Sequence, residues 1–150
     1  MPRTDVATRT VAAPPEKVFA AFIGQAALQA WLPPAGSTGR FRHFDLRTGG
    51  SYQLVLTFEN APGKTTGNTD VVDARIVEVV DGVRLVQAVD FESEDPAFAG
   101  TMLMTWQVCA AEGGSEVEIR ADDVPDGISA EDHATGLASS LDQLATYVEA

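Results

Sequence analysis

The chain has 150 residues, 45% of them hydrophobic and 21% charged, which is enough apolar material for one core and too much for a disordered segment. Ten Lys plus Arg stand against 22 Asp plus Glu, a net charge of -12, which argues against nucleic acid or an anionic membrane surface as a partner. Cys109 is the only cysteine, excluding an intrachain disulfide and a thiolate-held zinc. With no apolar signal core near Met1 and no run of about 18 apolar residues, the expectation is a cytoplasmic protein formed by a single domain over 1–150.

Residues 3–11 alternate loosely and are rich in Thr and Val, as a first strand should be, before Pro14 and Pro15 remove the ladder donors. Pro15 opens a helix in which Val18, Phe19, Phe22 and Ile23 repeat at three and four, the spacing of one helical face. Gly24 interrupts it. A second short helix over 25–32, with Leu28, Trp31 and Leu32 inward, stops at Pro33-Pro34 and leads into the loop 35–39.

Strands are expected at 40–46, 51–59, 69–80, 83–91, 101–110 and 115–122. Gly49-Gly50, Pro62-Gly63, Asp81-Gly82 and Gly113-Gly114 punctuate them, and Asp81-Gly82 suits a two-residue hairpin turn. The acidic stretch 92–100, flanked by Phe91 and Met102 and containing Phe98, is expected to cap one mouth of the interior. After Val124-Pro125-Asp126-Gly127 the period changes to that of a helix, with Leu137, Leu141, Leu144 and Val148 on one stripe. Ser129 is its expected N-cap, and Glu131 and Asp132 complement the dipole of its first turn. Gly136 interrupts that helix, and close approach of the backbone to the sheet or the helical hairpin is the expected reason. The order is strand, two short helices, six strands, one long helix. The fold class is therefore α+β, a curved antiparallel sheet whose apolar face must be covered by the C-terminal helix.

Val11-Ala12-Ala13-Pro14-Pro15-Glu16-Lys17-Val18-Phe19-Ala20-Ala21-Phe22, Leu28 with Trp31-Leu32-Pro33-Pro34, Phe44-Asp45-Leu46-Arg47-Thr48-Gly49-Gly50-Ser51-Tyr52 and the closing segment Gly136–Glu149 together carry a family pattern. The chain resembles the START-like, helix-grip (SRPBCC, Bet v-type) superfamily, and within it the proteins similar to activators of heat-shock-protein ATPase. The resemblance implies a sheet wrapped around the last helix and names no single function, because that fold hosts lipid carriers, polyketide cyclases and co-chaperone domains. The family's usual Gly-Trp on the last helix reads Gly136-Leu137 here, which predicts a larger pocket.

Tyr52, Leu54, Leu56 and Phe58 alternate on one face, as do Met102, Met104, Trp106 and Val108. These rows predict a cavity walled by Phe19, Phe22, Trp31, Tyr52, Leu54, Leu56, Met102, Met104, Trp106, Leu137 and Leu141, which would take a small apolar or amphipathic ligand without a cofactor. Plain core packing is the competing reading for each residue. A homodimer is compatible with either.

Among the titratable groups, alternation puts His43 beside Phe41 and opposite Arg42 and Phe44, where Tyr52 or a carboxylate would be its partner. His133 reads as structural or solvated. Asp122, Asp123, Asp126, Glu131, Asp132 and His133 match no metal-loop spacing, and Ser139, Ser140 and Cys109 lack a nucleophile's context. Asp45 and Arg47 read as a structural pair at a turn. Two alternatives to the ligand carrier stand: a polyketide-cyclase-like enzyme using His43, Tyr52 or a cavity arginine, and a co-chaperone-like interaction module using an acidic outer face. Converging titratable groups would favour the enzyme; a filled interior would favour the interaction module.

Overall fold

The computed structural model describes residues 3–33, 36–58, 69–91 and 100–149, apart from the side chains of Asp70 and Phe91. The acidic stretch 92–99 expected to cap the interior, the Pro62-Gly63 turn and Pro34-Ala35 lie outside the described residues.

The elements follow the expected order: β1 (Asp5–Val11), α1 (Pro15–Ile23), α2 (Gln25–Trp31), β2 (Ser37–Asp45), β3 (Ser51–Phe58), β4 (Thr69–Val80), β5 (Arg84–Phe91), β6 (Gly100–Ala111), β7 (Gly114–Asp122) and α3 (Ala130–Glu149). The seven described strands form one antiparallel sheet in the order β1-β7-β6-β5-β4-β3-β2. Strands β2 to β7 are thus a meander, and β1 closes onto its last member. The fold is α+β, with the long helix on the apolar face of the sheet.

Local chemistry explains the joints. Pro15 sits at the first position of α1, where its missing N–H costs nothing. Gly24 serves two helices, its N–H capping the Ala20 carbonyl at 3.0 Å while its own carbonyl accepts from Leu28 at 2.9 Å. At the other end of the chain, the Ser129 hydroxyl accepts from the Asp132 N–H at 3.0 Å, the N-cap the sequence predicts. The β2–β3 turn demands Gly50, because a Cβ there would lie 2.1 Å from the Asp45 carbonyl oxygen.

Two local expectations are corrected. The β4–β5 hairpin pairs Val80 with Arg84, so its loop has three residues rather than two, with Gly82 at φ 74° and Val83 donating to Val80. In β2 a bulge falls between Phe41 and His43. The extra residue reverses the alternation beyond it. Phe41 and Phe44 therefore share the inner side with Tyr52, while His43 is exposed.

Inside, α3 presents Leu137, Leu141, Leu144, Ala145 and Val148, all buried. Each such leucine or valine contributes roughly 1.5–3 kcal/mol on full burial. They meet Val18, Phe19 and Phe22 of α1, Trp31 of α2 and the inward rows of the sheet in one cluster. The stripe is as expected, yet Gly136 is exposed and a Cβ there would meet nothing within 4 Å. The expected close backbone approach at Gly136 does not exist, and its neighbour Leu137 is inward all the same.

Candidate functional site

The side chains expected to wall a cavity converge, but they leave almost no room between them. Phe22, Trp31, Tyr52 and Trp106, joined by Leu28, Leu32, Leu85 and Gln87, surround a void of only about 10 Å³. That is at the lower limit for one water and far below the roughly 300–1,000 Å³ of ligand pockets. Aromatic rings fill the space: Trp31 lies edge-on to Trp106 at 5.2 Å, and Phe22 tilts against Trp106 at 5.8 Å. Trp31 is also fixed through its indole N–H, which donates to the Ala21 carbonyl at 2.9 Å. A leucine at position 137 has therefore not enlarged the pocket, because the two indoles already occupy the centre.

The remaining predicted residues divide. Phe19, Leu54, Leu56, Leu137 and Leu141 are buried in the same cluster without lining the void. Met102 is buried in a separate small cluster with Ala121 and Val124, and half-buried Met104 touches both clusters. Met102 thus packs apart from the central cluster. The residue that the sequence reading missed is Gln87. It lies on β5 in phase with Leu85 and Val89, and that alternation is the signal that would have placed it inward.

Gln87 and Ser115 are the buried polar side chains among the described residues. The Tyr52 hydroxyl donates to Gln87 Oε1 at 3.3 Å. Burial pushes the Tyr52 phenol up to about 12, so it stays protonated and neutral at physiological pH. Ser115 is satisfied by donating to the Ala13 carbonyl at 2.7 Å.

The titratable groups do not converge on this interior. His43 Nε2 lies 3.0 Å from Ser51 Oγ on the outer face, not beside Tyr52. His133 Nδ1 lies 2.6 Å from Asp5 Oδ2, where α3 meets β1, and Arg3 reaches the same carboxylate at 3.1 Å. Burial alone would raise the Asp5 pKa, but the hydrogen bonds from His133 and Arg3 outweigh it and hold the carboxyl below its ordinary 3.8. Asp45 and Arg47 do pair, at 2.9 Å, on the surface. Asp122 accepts from Thr4 and Arg120, and no cluster of three metal-ligating side chains exists among the described residues. Among the described residues, no helix is long and apolar enough to cross a membrane.

Outside, the space is larger. A groove of about 580 Å³ runs between the end of α2 and α3, past Pro33, Ser37, Ser139 and Tyr147. Its walls are tied by Gln143, whose side-chain N–H donates to the Trp31 and Pro33 carbonyls at 2.6 and 2.9 Å. The outer face of the sheet is a ladder of ion pairs, with Arg75 on Asp90 and Arg84 on Glu78, both at 2.9 Å. The Arg75 guanidinium, helped by the Thr101 hydroxyl, holds Asp90 down at about 2.

Known proteins agree with this architecture. Residues 12–149 match the family model described as Activator of Hsp90 ATPase homolog 1-like protein. A crystal structure from Chromobacterium violaceum is 32% identical, covers 98% of each chain and superposes with a TM-score of 0.84. An AHSA1 protein from Silicibacter pomeroyi, 19% identical over 96% of each chain with a TM-score of 0.78, shares the fold. So does an AHSA1-like protein from Aeromonas hydrophila, 17% identical over 98% of this chain and 92% of that one, with a TM-score of 0.75. No curated protein matches the sequence.

Proposed function

Because the chain belongs to the Activator of Hsp90 ATPase homolog 1-like family, we propose that it works as a co-chaperone-like protein-interaction module. The filled interior carries this reading: a void of about 10 Å³ between Trp31, Trp106, Tyr52 and Gln87 offers a guest nothing to occupy. Recognition then falls to the surface, where the charged outer sheet face and the groove beside α3 lie. Catalysis of the cyclase type finds little support, since His43 is engaged with Ser51 and His133 with Asp5, and neither makes a hydrogen bond to Tyr52.

Two measurements on freshly purified protein test the proposal: native mass spectrometry, and sedimentation velocity with the Hsp90-type chaperone of the same cell. The expected outcome is the mass of the bare chain together with a complex containing the chaperone. A stoichiometric small-molecule adduct with no such complex overturns it.

One observation favours the ligand carrier as a second reading. The Tyr52–Gln87 pair places polar atoms at the wall of an otherwise apolar interior, as a site that orients an amphipathic guest would need. Under that reading the wall is formed by Phe19, Phe22, Trp31, Tyr52, Leu54, Leu56, Met102, Met104, Trp106, Leu137 and Leu141, and the native mass measurement shows the adduct.

A further inference from the structure

Acids outnumber bases 22 to 10 in this chain, so an arginine without a carboxylate partner is unexpected. Arg3, Arg47, Arg75, Arg84, Arg120 and Arg9 each contact an acid, and Arg42 donates to Gln53 at 3.2 Å. Among the described residues, Arg40 is the arginine left with no side-chain partner. It is exposed on β2, the strand that ends the sheet.

Its surroundings form a recess. Arg40 stands opposite Val55, and Thr38 opposite Thr57, in the β2–β3 register. With Gly39 these residues line a depression of about 350 Å³ on the outer face. Val55, only 8% exposed, is the apolar floor. Two hydroxyls and one unengaged guanidinium supply donors around it, with no acidic side chain among the described residues of the lining. Among the described residues of β2 and β4, Asp45 is engaged by Arg47, and Asp73 by Gln53 at 2.8 Å.

We propose that this recess docks an acidic segment of a protein partner, with Arg40 forking onto an Asp or Glu carboxylate and Val55 taking the adjoining aliphatic surface. The inference rests on the interaction-module reading and gives it a place and a partner chemistry. A guanidinium matches a carboxylate in bidentate geometry, and arginine is over-represented among residues that dominate interfaces. The net charge of -12 repels a polyanion such as nucleic acid or an anionic membrane. A few carboxylates presented on an apolar scaffold are repelled far less and find here a basic strip formed by Arg40 and Arg42. Recognition goes through side chains, because the bulge between Phe41 and His43 and the flanking arginines blunt β2 as an edge for adding a strand.

The test uses the full chain and a short fluorescein-labelled peptide alternating Glu and Leu, followed by fluorescence anisotropy at low salt. Binding is expected. It should weaken by about tenfold or more in Arg40→Glu and in Thr57→Glu, weaken less in Arg40→Lys, which keeps the charge and loses the fork, and fall as salt is added. Thermal melts of the variants confirm folding, which exposure of both positions favours. No binding by wild type, or binding by both Glu variants as tight as by wild type, overturns the proposal. So does competition by millimolar inorganic phosphate or acetate, which marks a small-anion site, or an Arg40-dependent dimer of the protein alone, which makes a second copy the occupant. Chaperone sedimentation separates the two levels. A complex that survives Arg40→Glu removes this docking site and leaves the interaction reading standing, whereas no complex with wild type removes that reading.

Discussion

The hydroxyl of Tyr52 donates to Oε1 of Gln87 at 3.3 Å, joining β3 to β5 across β4, whose small Ala74 stands opposite Tyr52. This contact sets a polar pair inside an apolar interior, and it makes the middle of the sheet sensitive to loss of either partner. Tyr52→Phe leaves a buried amide oxygen unpaired and should cost about 1–3 kcal/mol, whereas Tyr52→Phe with Gln87→Leu should recover most of that loss. Urea unfolding of the single and double variants measures both.

The same phenol gives an alkaline limit. Its folded pKa, raised by burial to about 12 from 10.0, lies above the unfolded value. Stability from this group is complete below about 10 and is lost as pH rises through about 12. Ionisation of Tyr52, read as tyrosinate absorbance in a Tyr147→Phe background, should therefore come only near pH 12 and coincide with loss of tertiary circular dichroism. Ionisation of Tyr52 near 10 would contradict the burial.

At the acid end the group to watch is Asp5. Although burial opposes it, hydrogen bonds from His133 and Arg3 lower the folded pKa below the ordinary 3.8. A depressed carboxyl contributes its stability above the unfolded pKa and loses it as pH falls through the folded one. His133→Ala should raise the Asp5 pKa and move the onset of acid unfolding to higher pH. Carbon-detected NMR titration of the Asp5 carboxyl in wild type and variant reads the shift directly; an unchanged pKa would mean that Arg3 alone sets it.

Much of this fold was legible in the residues, for definite reasons. Leu137, Leu141, Leu144 and Val148 repeat with the helical period, and Tyr52, Leu54 and Leu56 with the strand period, so burial on one face leaves a pattern in the chain. The bulge between Phe41 and His43 leaves no such trace, because one extra residue needs no special side chain when its backbone is at an open edge. Gln87 was missed because a lone glutamine in an alternating run looks like a solvent residue until its partner Tyr52 is known. The size of the void was not legible at all. It depends on how the Trp31 and Trp106 rings turn toward each other at 5.2 Å, and no spacing in the chain records that angle.

Gly136 reverses its expected role. A Cβ built there meets nothing within 4 Å, so the residue carries the conformational cost of a mid-helix glycine without a packing reason for it. Gly136→Ala should stabilise the protein by up to about 1 kcal/mol, and Gly136→Leu should be stabilising by a similar amount rather than overpacked. Urea midpoints of the two variants decide. Destabilisation by Gly136→Leu would require a contact on that face of α3 that the folded chain does not contain.

Leu137 gives the sharpest test of the filled interior. An enlarged cavity would accept an indole at this position, so Leu137→Trp would be neutral or stabilising if such a cavity existed. Leu137 is 4% exposed within the main cluster and does not line the void of about 10 Å³. An indole there cannot fit without displacing the packed neighbours of that cluster. Leu137→Trp should therefore overpack and cost about 1–3 kcal/mol. The complementary change, Trp106→Ala, should cost about 3–5 kcal/mol and open space that an apolar dye can enter. Urea unfolding and dye fluorescence are the readouts. Dye binding by wild type at the level of Trp106→Ala, with Leu137→Trp as stable as wild type, would mean that the interior opens readily in solution, and the ligand-carrier reading would then replace the interaction module.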